Sequence, residues 1–455
     1  MPKDNPLFFN LDSKSATFLQ AKELPKQFDF FFEFLRRRWW IDYQNRENTP
    51  IFPLLVKGSY FAEQFVPQVQ TFHIELIKYC RAKLRHNFDE LAALVVDHLG
   101  QSELCKRQLE TGGEAMLLGR PDVIIAPSGN ISILELNIGP GFGGLFEYEM
   151  QLGFLRDVPT LFKDLENNHI RVQSPLLSLA EALDRSFSGT LAVVDNGNGP
   201  TAFSLVVSEY LGRYRKGGKT LYANAWELMF DQSKERICLD ACPIDGLYLN
   251  MGANHVDEPT LHKVFSFPEQ EWLHKTQPQY YKIFSSKAML AVLYQDLCRG
   301  VLPQALADLT EKMVLPSFIV KNATAFWENE TITIPDFLRQ FKDELVLKPA
   351  CSEGAMAMLI GKTATQKAWD EFVTKILAEN TIYVAQKFVT PPTYEAYYMG
   401  ADGPVLRPCK AIFSPFIIDG KISALGARLG SISVEGPLVS PATGDCGISI
   451  VGVVD

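Results

Sequence analysis

The chain has 455 residues, 47% of them hydrophobic and 21% charged, with a net charge of −9. That apolar share excludes a disordered or fibrous chain, and the length suggests roughly three domain-sized units at about 150 residues each. The acidic balance excludes a general nucleic-acid binder, which needs a basic stripe to neutralise phosphates, yet leaves room for a local basic cleft. No apolar run approaches the roughly 18 residues that span a bilayer. Met1-Pro2-Lys3-Asp4-Asn5-Pro6 is too polar for a signal peptide. The expectation is a cytoplasmic protein with no membrane and no nucleic-acid partner. Of the eight cysteines, only Cys238 and Cys242 are close in sequence, and no second pair stands at zinc-ligand spacing, so they read as reduced thiols.

Residues 1–110 read as a helical N-terminal region. Phe72, His73, Ile74, Leu76, Ile77 and Tyr79 mix helical spacings, and Leu84, Phe88, Leu91, Val95 and Leu99 line one face before Gly100. From 111 the texture changes. Pro121-Asp122-Val123-Ile124-Ile125 and Ile131-Ser132-Ile133-Leu134-Glu135-Leu136-Asn137, parted by Ser128-Gly129-Asn130, predict a hairpin, and a glycine-rich loop follows at 139–144. Residues 151–186 read as a helical connector. Leu191–Asp195, Thr220–Tyr222 and Gly246–Leu249 predict short strands within an α/β unit over 187–280. The last stretch, 281–455, begins helical and becomes strand-rich.

Four constellations can carry chemistry. Glu135 and Asn137, two apart on a strand, point the same way, and the hairpin brings Asp122 beside them. Three oxygen-bearing side chains suit Mg²⁺, which takes hard oxygen ligands and borrows others from substrate phosphates. The alternative is a solvated sheet face. Lys348, at the end of the apolar strand Glu344–Pro349, precedes the small-residue loop Ser352-Glu353-Gly354-Ala355, whose amides can approach a triphosphate; an ordinary hairpin is the plainer reading. Gln386-Lys387-Phe388-Val389 with Glu395 can offer an adenine edge and a ribose their partners, or form a plain half-buried strand. Arg407 and Arg428 lie in strand-like stretches, where each can clamp phosphate or carboxylate oxygens or join a surface ion pair. Gly197-x-Gly199-x-x-Ala202 has the form of a dinucleotide turn, but no acidic residue stands convincingly about 20 positions on.

In combination these segments resemble an ATP-grasp ligase in circularly permuted order, similar to the ligase half of glutathionylspermidine synthases and to permuted amino-acid ligases. The Asp122 and Glu135-Leu136-Asn137-Ile138-Gly139-Pro140-Gly141 segments, last in ordinary members, come first here. The resemblance covers about 111–150 and 187–455. It implies an α/β (α+β) architecture: a metal-binding segment at 111–150, a Rossmann-like pre-ATP-grasp domain at 187–280 and an ATP-grasp domain at 281–455. It further implies that Lys287 and Lys348 hold ATP phosphates, with Ser352 to Ala355 as the phosphate loop. Gln386 to Val389 become the adenine hinge and Glu395 the ribose ligand. Arg407 and Arg428 stabilise the transferred phosphoryl group, and Asp122, Glu135 and Asn137 hold Mg²⁺. The implied activity is ATP-dependent joining of a small-molecule carboxylate to an amine through an acyl phosphate, and the family suggests a homodimer. The phosphate loop departs from the family pattern in having a single glycine, Gly354. Two other classes stand beside this one: a nicotinamide-dependent oxidoreductase using 197–202, and a non-catalytic nucleotide-binding protein.

Overall fold

Strands from both ends of the chain meet in one sheet. In the computed structural model, the described residues are 6–11, 16–39, 49–95, 105–106, 109–110, 116–139, 143–195, 202–233, 236–249, 280–321, 323–328, 330–351, 357–431 and 446–455. In chain order, the first strands are β1 (Phe8–Phe9) and β2 (Leu54–Lys57), then the hairpin β3 (Asp122–Ile125) and β4 (Ile131–Glu135). A parallel three-stranded sheet follows, with β5 (Leu191–Asp195) between β6 (Thr220–Asn224) and a later strand. The antiparallel trio β7 (Leu228–Asp231), β8 (Arg236–Leu239) and β9 (Cys242–Ile244) precedes that strand, β10 (Gly246–Leu249).

A four-stranded sheet then joins β11 (Ser317–Ile319), β14 (Leu345–Pro349), β15 (Leu359–Ile360) and β16 (Tyr383–Lys387) in the order β11-β16-β14-β15. Between them β12 (Thr324–Trp327) and β13 (Glu330–Thr333) pair as a separate hairpin. The chain ends in β17 (Thr393–Gly400), β18 (Gly403–Ile418), β19 (Lys421–Ser431) and β20 (Cys446–Val454). These take up the early strands in the order β1-β2-β20-β19-β18-β3-β4, with β17 also on β18. The architecture is mixed α/β.

Period-two alternation divides the two faces of β18. Cys409, Ala411 and Phe413 share a core with Phe72 and Leu76 of the helix Val66–His86 and with Met289 and Leu293 of the helix Lys287–Cys298. Phe416, beyond Ser414 on the other face, packs with Tyr148 of the helix Leu145–Asp157, their rings 5.4 Å apart and edge to face. Helices therefore cover both faces of the long strands, which explains their near-continuous apolar sequence.

The N-terminal stretch read as helical is helical only in part. Leu54–Lys57 pairs in parallel with Val451–Val454, too short a run for periodicity to betray, and Phe8–Phe9 pairs with it in turn. The single face expected from Leu84 onward is broken at Asn87, where φ of −150° ends the helix Val66–His86 and a second helix runs Phe88–Val95. Residues 151–186 are helical as expected (Leu145–Asp157, Pro159–Asn167, Pro175–Ser186), and β5, β6 and β10 occupy the three predicted strands. The turn at 197–201 lies outside the described residues; Ala202 opens the helix Ala202–Tyr214. Among the described residues, no helix is long and apolar enough to cross a membrane.

Candidate functional site

The site begins with an irregularity in the β3–β4 hairpin. Val123 pairs with Ile133, yet Asp122 pairs with Glu135, so Leu134 and Glu135 together stand opposite one residue. Such a bulge re-aims side chains: it turns Glu135 onto the face that Asp122 already occupies. Val123 pairs with Phe413, which puts β3 beside β18, and Asp122 faces Ser414, whose Oγ donates to Asp122 Oδ1 at 2.8 Å. Arg428, paired with Ile412 on β19, falls on the same face and donates to Asp122 Oδ2 across 306 residues of sequence. Arg120 Nε stands 3.4 Å from Asp122 Oδ1. Asp122 itself is 1% exposed, so these contacts stand in for lost hydration.

The cations gather from separate parts of the chain. Lys287, first residue of its helix behind the N-cap Ser286, brings Nζ to 3.7 Å from Glu135 Oε2. Ser285, which ends the short helix Tyr281–Ser285 just before it, ties this region to the segment after the hairpin: its Oγ donates to the Ile138 carbonyl at 2.7 Å and accepts from Ile138 N–H at 2.9 Å. Lys348 on β14 donates to the Leu134 carbonyl at 3.3 Å, the bulged residue, and to Gln386 Oε1 at 2.7 Å. Asn137 Nδ2 donates to the Arg120 carbonyl at 3.0 Å, which fixes the amide and leaves Oδ1 without a partner among the described residues.

Electrostatics divide the carboxylate pair. Burial, with Glu135 alongside, pushes Asp122 up despite Arg120 and Arg428. Burial acts on Glu135 in the same sense but is outweighed by Lys287, a hydrogen bond with Asp122, Arg428 and Lys348, which hold it well below the usual range. Two carboxyls hydrogen-bonded to each other share a proton, and a divalent cation satisfies the same need. Asp122 Oδ1 and Oδ2 are already engaged, so Glu135 and Asn137 Oδ1 are the freer ligands. Among the described residues, no three His, Cys, Asp or Glu side chains gather as a metal-binding group. Glu135 and Asn137, with Asp122 behind them, are the residues that could hold an ion such as Mg²⁺ were a bound phosphate to complete its shell.

Four cations, Arg120, Lys287, Lys348 and Arg428, surround these two carboxylates. The buried Nε atoms of Arg120 and Arg428 lack hydrogen-bond partners. A surplus of positive charge with orphaned guanidinium donors, in a half-buried space, suits an anion. Burial pulls Lys348 down to about 8, with Glu135 and Asp122 opposing and Lys287 assisting. The lysine is charged below that value and neutral above it. Affinity for metal-free tripolyphosphate should thus fall as pH rises through about 8, and Lys348→Arg should abolish that step in a calorimetric titration from pH 7 to 9.5.

Other expected residues stand elsewhere or are otherwise engaged. Arg407 pairs with Ala396, and its odd position puts it on the β18 face opposite Ser414 and Arg428, its guanidinium 5.8 Å from the Tyr398 ring centre. Gln386 is 3% exposed and partners Lys348. The backbone N–H groups of Lys387 and Phe388 already donate to Pro316 and Glu344 carbonyls, which leaves Val389 as the open hinge amide among the described residues. Glu395 is exposed and accepts from Asn10 at 3.5 Å. Ser352, Glu353, Gly354 and Ala355 lie outside the described residues.

Arg120 stands with Pro121-Asp122 in the sequence reading but carries no role there, and Ser414 and His73 were not anticipated as neighbours of the site. Arg120 donates to the Gly143 carbonyl and so ties the glycine loop to the acidic hairpin; its place before Pro121-Asp122 was the available signal. Gly144 has φ +94° at the N-cap of the next helix, and a Cβ there would lie 3.1 Å from Arg120 Nη1. His73 is 1% exposed, and burial pulls it down to about 4, so it stays neutral. A Cβ on Gly119 would stand 2.4 Å from its Cε1 and 3.2 Å from the Asn137 carbonyl. No protein-family model matches the chain, and no curated protein does.

Proposed function

We propose that the protein is an ATP-dependent carboxylate–amine ligase with a circularly permuted ATP-grasp core, acting through an acyl phosphate. The observation that carries this reading is the meeting of Asp122 and Glu135 with Arg428, Lys348 and Lys287. In the reaction, a substrate carboxylate oxygen attacks the γ-phosphorus of ATP and the bond to ADP breaks. An amine nitrogen then attacks the acyl carbon, phosphate leaves, and the amine loses a proton to solvent.

Such phosphoryl transfer asks the protein for positioning and charge stabilisation more than covalent work. Lys287 and Lys348 hold phosphate oxygens. Arg428, with Arg120, stabilises charge on the transferred group and the acyl phosphate. Glu135 and Asn137, with Asp122 behind them, would hold Mg²⁺, which when bound neutralises phosphate oxygens. Val389 N–H meets the adenine edge.

The test is a phosphate-release screen with Mg-ATP across amino acids, polyamines and short peptides as carboxylate and amine, alongside direct titration with ADP. Release that requires both a carboxylate and an amine supports the ligase. ADP binding with no release by any pair would instead describe a non-catalytic nucleotide-binding protein. NADH binding without ADP or ATP binding would favour an oxidoreductase.

A further inference from the structure

A cavity of about 310 Å³ opens between the helices Val66–His86, Phe88–Val95 and Lys287–Cys298. That volume is at the small end for ligand pockets. Leu91, Leu94, Val292 and Ile319 give it an apolar lining, and Lys83, Arg299 and Glu90 bring charge to the same wall.

The charges are unevenly satisfied. Asp296, 3% exposed, accepts from Tyr79 Oη at 2.6 Å, from Lys83 and from Arg299 Nη1 at 3.3 Å, so its oxygens are spent. Arg299 uses one donor of its fork in that contact and is otherwise without a partner among the described residues, its side chain 54% exposed. Glu90 accepts from Asn87 Nδ2 through Oε2, while Oε1 has no partner among the described residues. An open guanidinium matches a carboxylate, an open carboxylate matches an ammonium, and apolar surface lies with both.

We infer that this cavity is a binding site for a free apolar amino acid, distinct from the charged cluster at the hairpin. The ligand carboxylate pairs with Arg299 and Lys83, its ammonium with Glu90, and its side chain covers Leu91, Leu94, Val292 and Ile319. The site does not depend on the nucleotide reading. Lys287 precedes Ala291, a lining residue, by one turn of the same helix, and the residues lining the cavity include none of Arg120, Asp122, Glu135, Lys287, Lys348 and Arg428.

Calorimetric titration of the full chain with leucine tests this, with leucinamide and 4-methylpentanoate as analogues lacking the carboxylate and the ammonium respectively. Saturable leucine binding is expected, at least about tenfold tighter than either analogue. Arg299→Met and Glu90→Gln should each weaken leucine about tenfold or more while leaving the unfolding transition unchanged. Leu94→Trp, which fills the space, should abolish binding, and Glu135→Gln should leave it intact. No saturable heat on the order of 10 mM leucine overturns the inference, as do equal affinities for leucine and 4-methylpentanoate, or full affinity in both charge variants.

Discussion

Magnesium-dependent phosphate release from ATP should fall by about 10²–10³-fold in Glu135→Gln, with the fold intact. The amide has the shape of the carboxylate, so the bulge and the β3–β4 pairing persist. What it lacks is the charge that faces Lys287 at 3.7 Å and that suits a divalent cation. The substitution also carries a readout of opposite sign. Removing a carboxylate from a cluster already rich in cations should tighten metal-free tripolyphosphate, because one competitor for Lys287 and Lys348 is gone. Unaltered magnesium-dependent release in this variant would remove Glu135 from the proposed mechanism.

Arg428→Met should be the more damaging change to stability. It strips a 1% exposed carboxylate of its closest cation, and breaking a buried pair from one side costs about 3–5 kcal/mol. Ser414 Oγ and Arg120 remain beside Asp122, which favours the lower end. An acid whose folded pKa is raised above its unfolded value loses stability as pH rises from the ordinary carboxylate range through the raised value. The deficit should therefore be larger at pH 7 than at pH 5 in urea denaturation. Adding Asp122→Asn should restore most of the stability without restoring turnover. A double variant as unstable as the single one would mean that packing, not charge, holds Arg428 in place.

The sequence made some of this site readable and hid the rest for physical reasons. Alternation put Glu135 and Asn137 on one face, and the hairpin brought Asp122 to them. The bulge at Leu134 was invisible, because an extra residue in a ladder leaves no mark on an apolar run, and that bulge decides where Glu135 points. Lys348 and Arg428 were legible as charges within apolar strands. Arg407 carried the same signal but stands at odd rather than even position along β18, and only the pairing of that strand reveals which parity faces Asp122. Ser414 was silent, since a serine in a strand is commonplace until a buried carboxylate is found opposite. The three-residue apolar segment of β2 was equally mute, because its partner lies almost 400 residues later.

That long reach bears on how the molecule is made. Asp122 emerges from the ribosome 306 residues before its cationic partner. A nascent chain can bury neither the carboxylate nor the hairpin flank that carries it until β18 and β19 have been synthesised. Assembly of the large sheet is consequently deferred until those distant strands have emerged, with the slow kinetics expected of distant pairings and a lengthy exposure of β3 and β4 to chaperones.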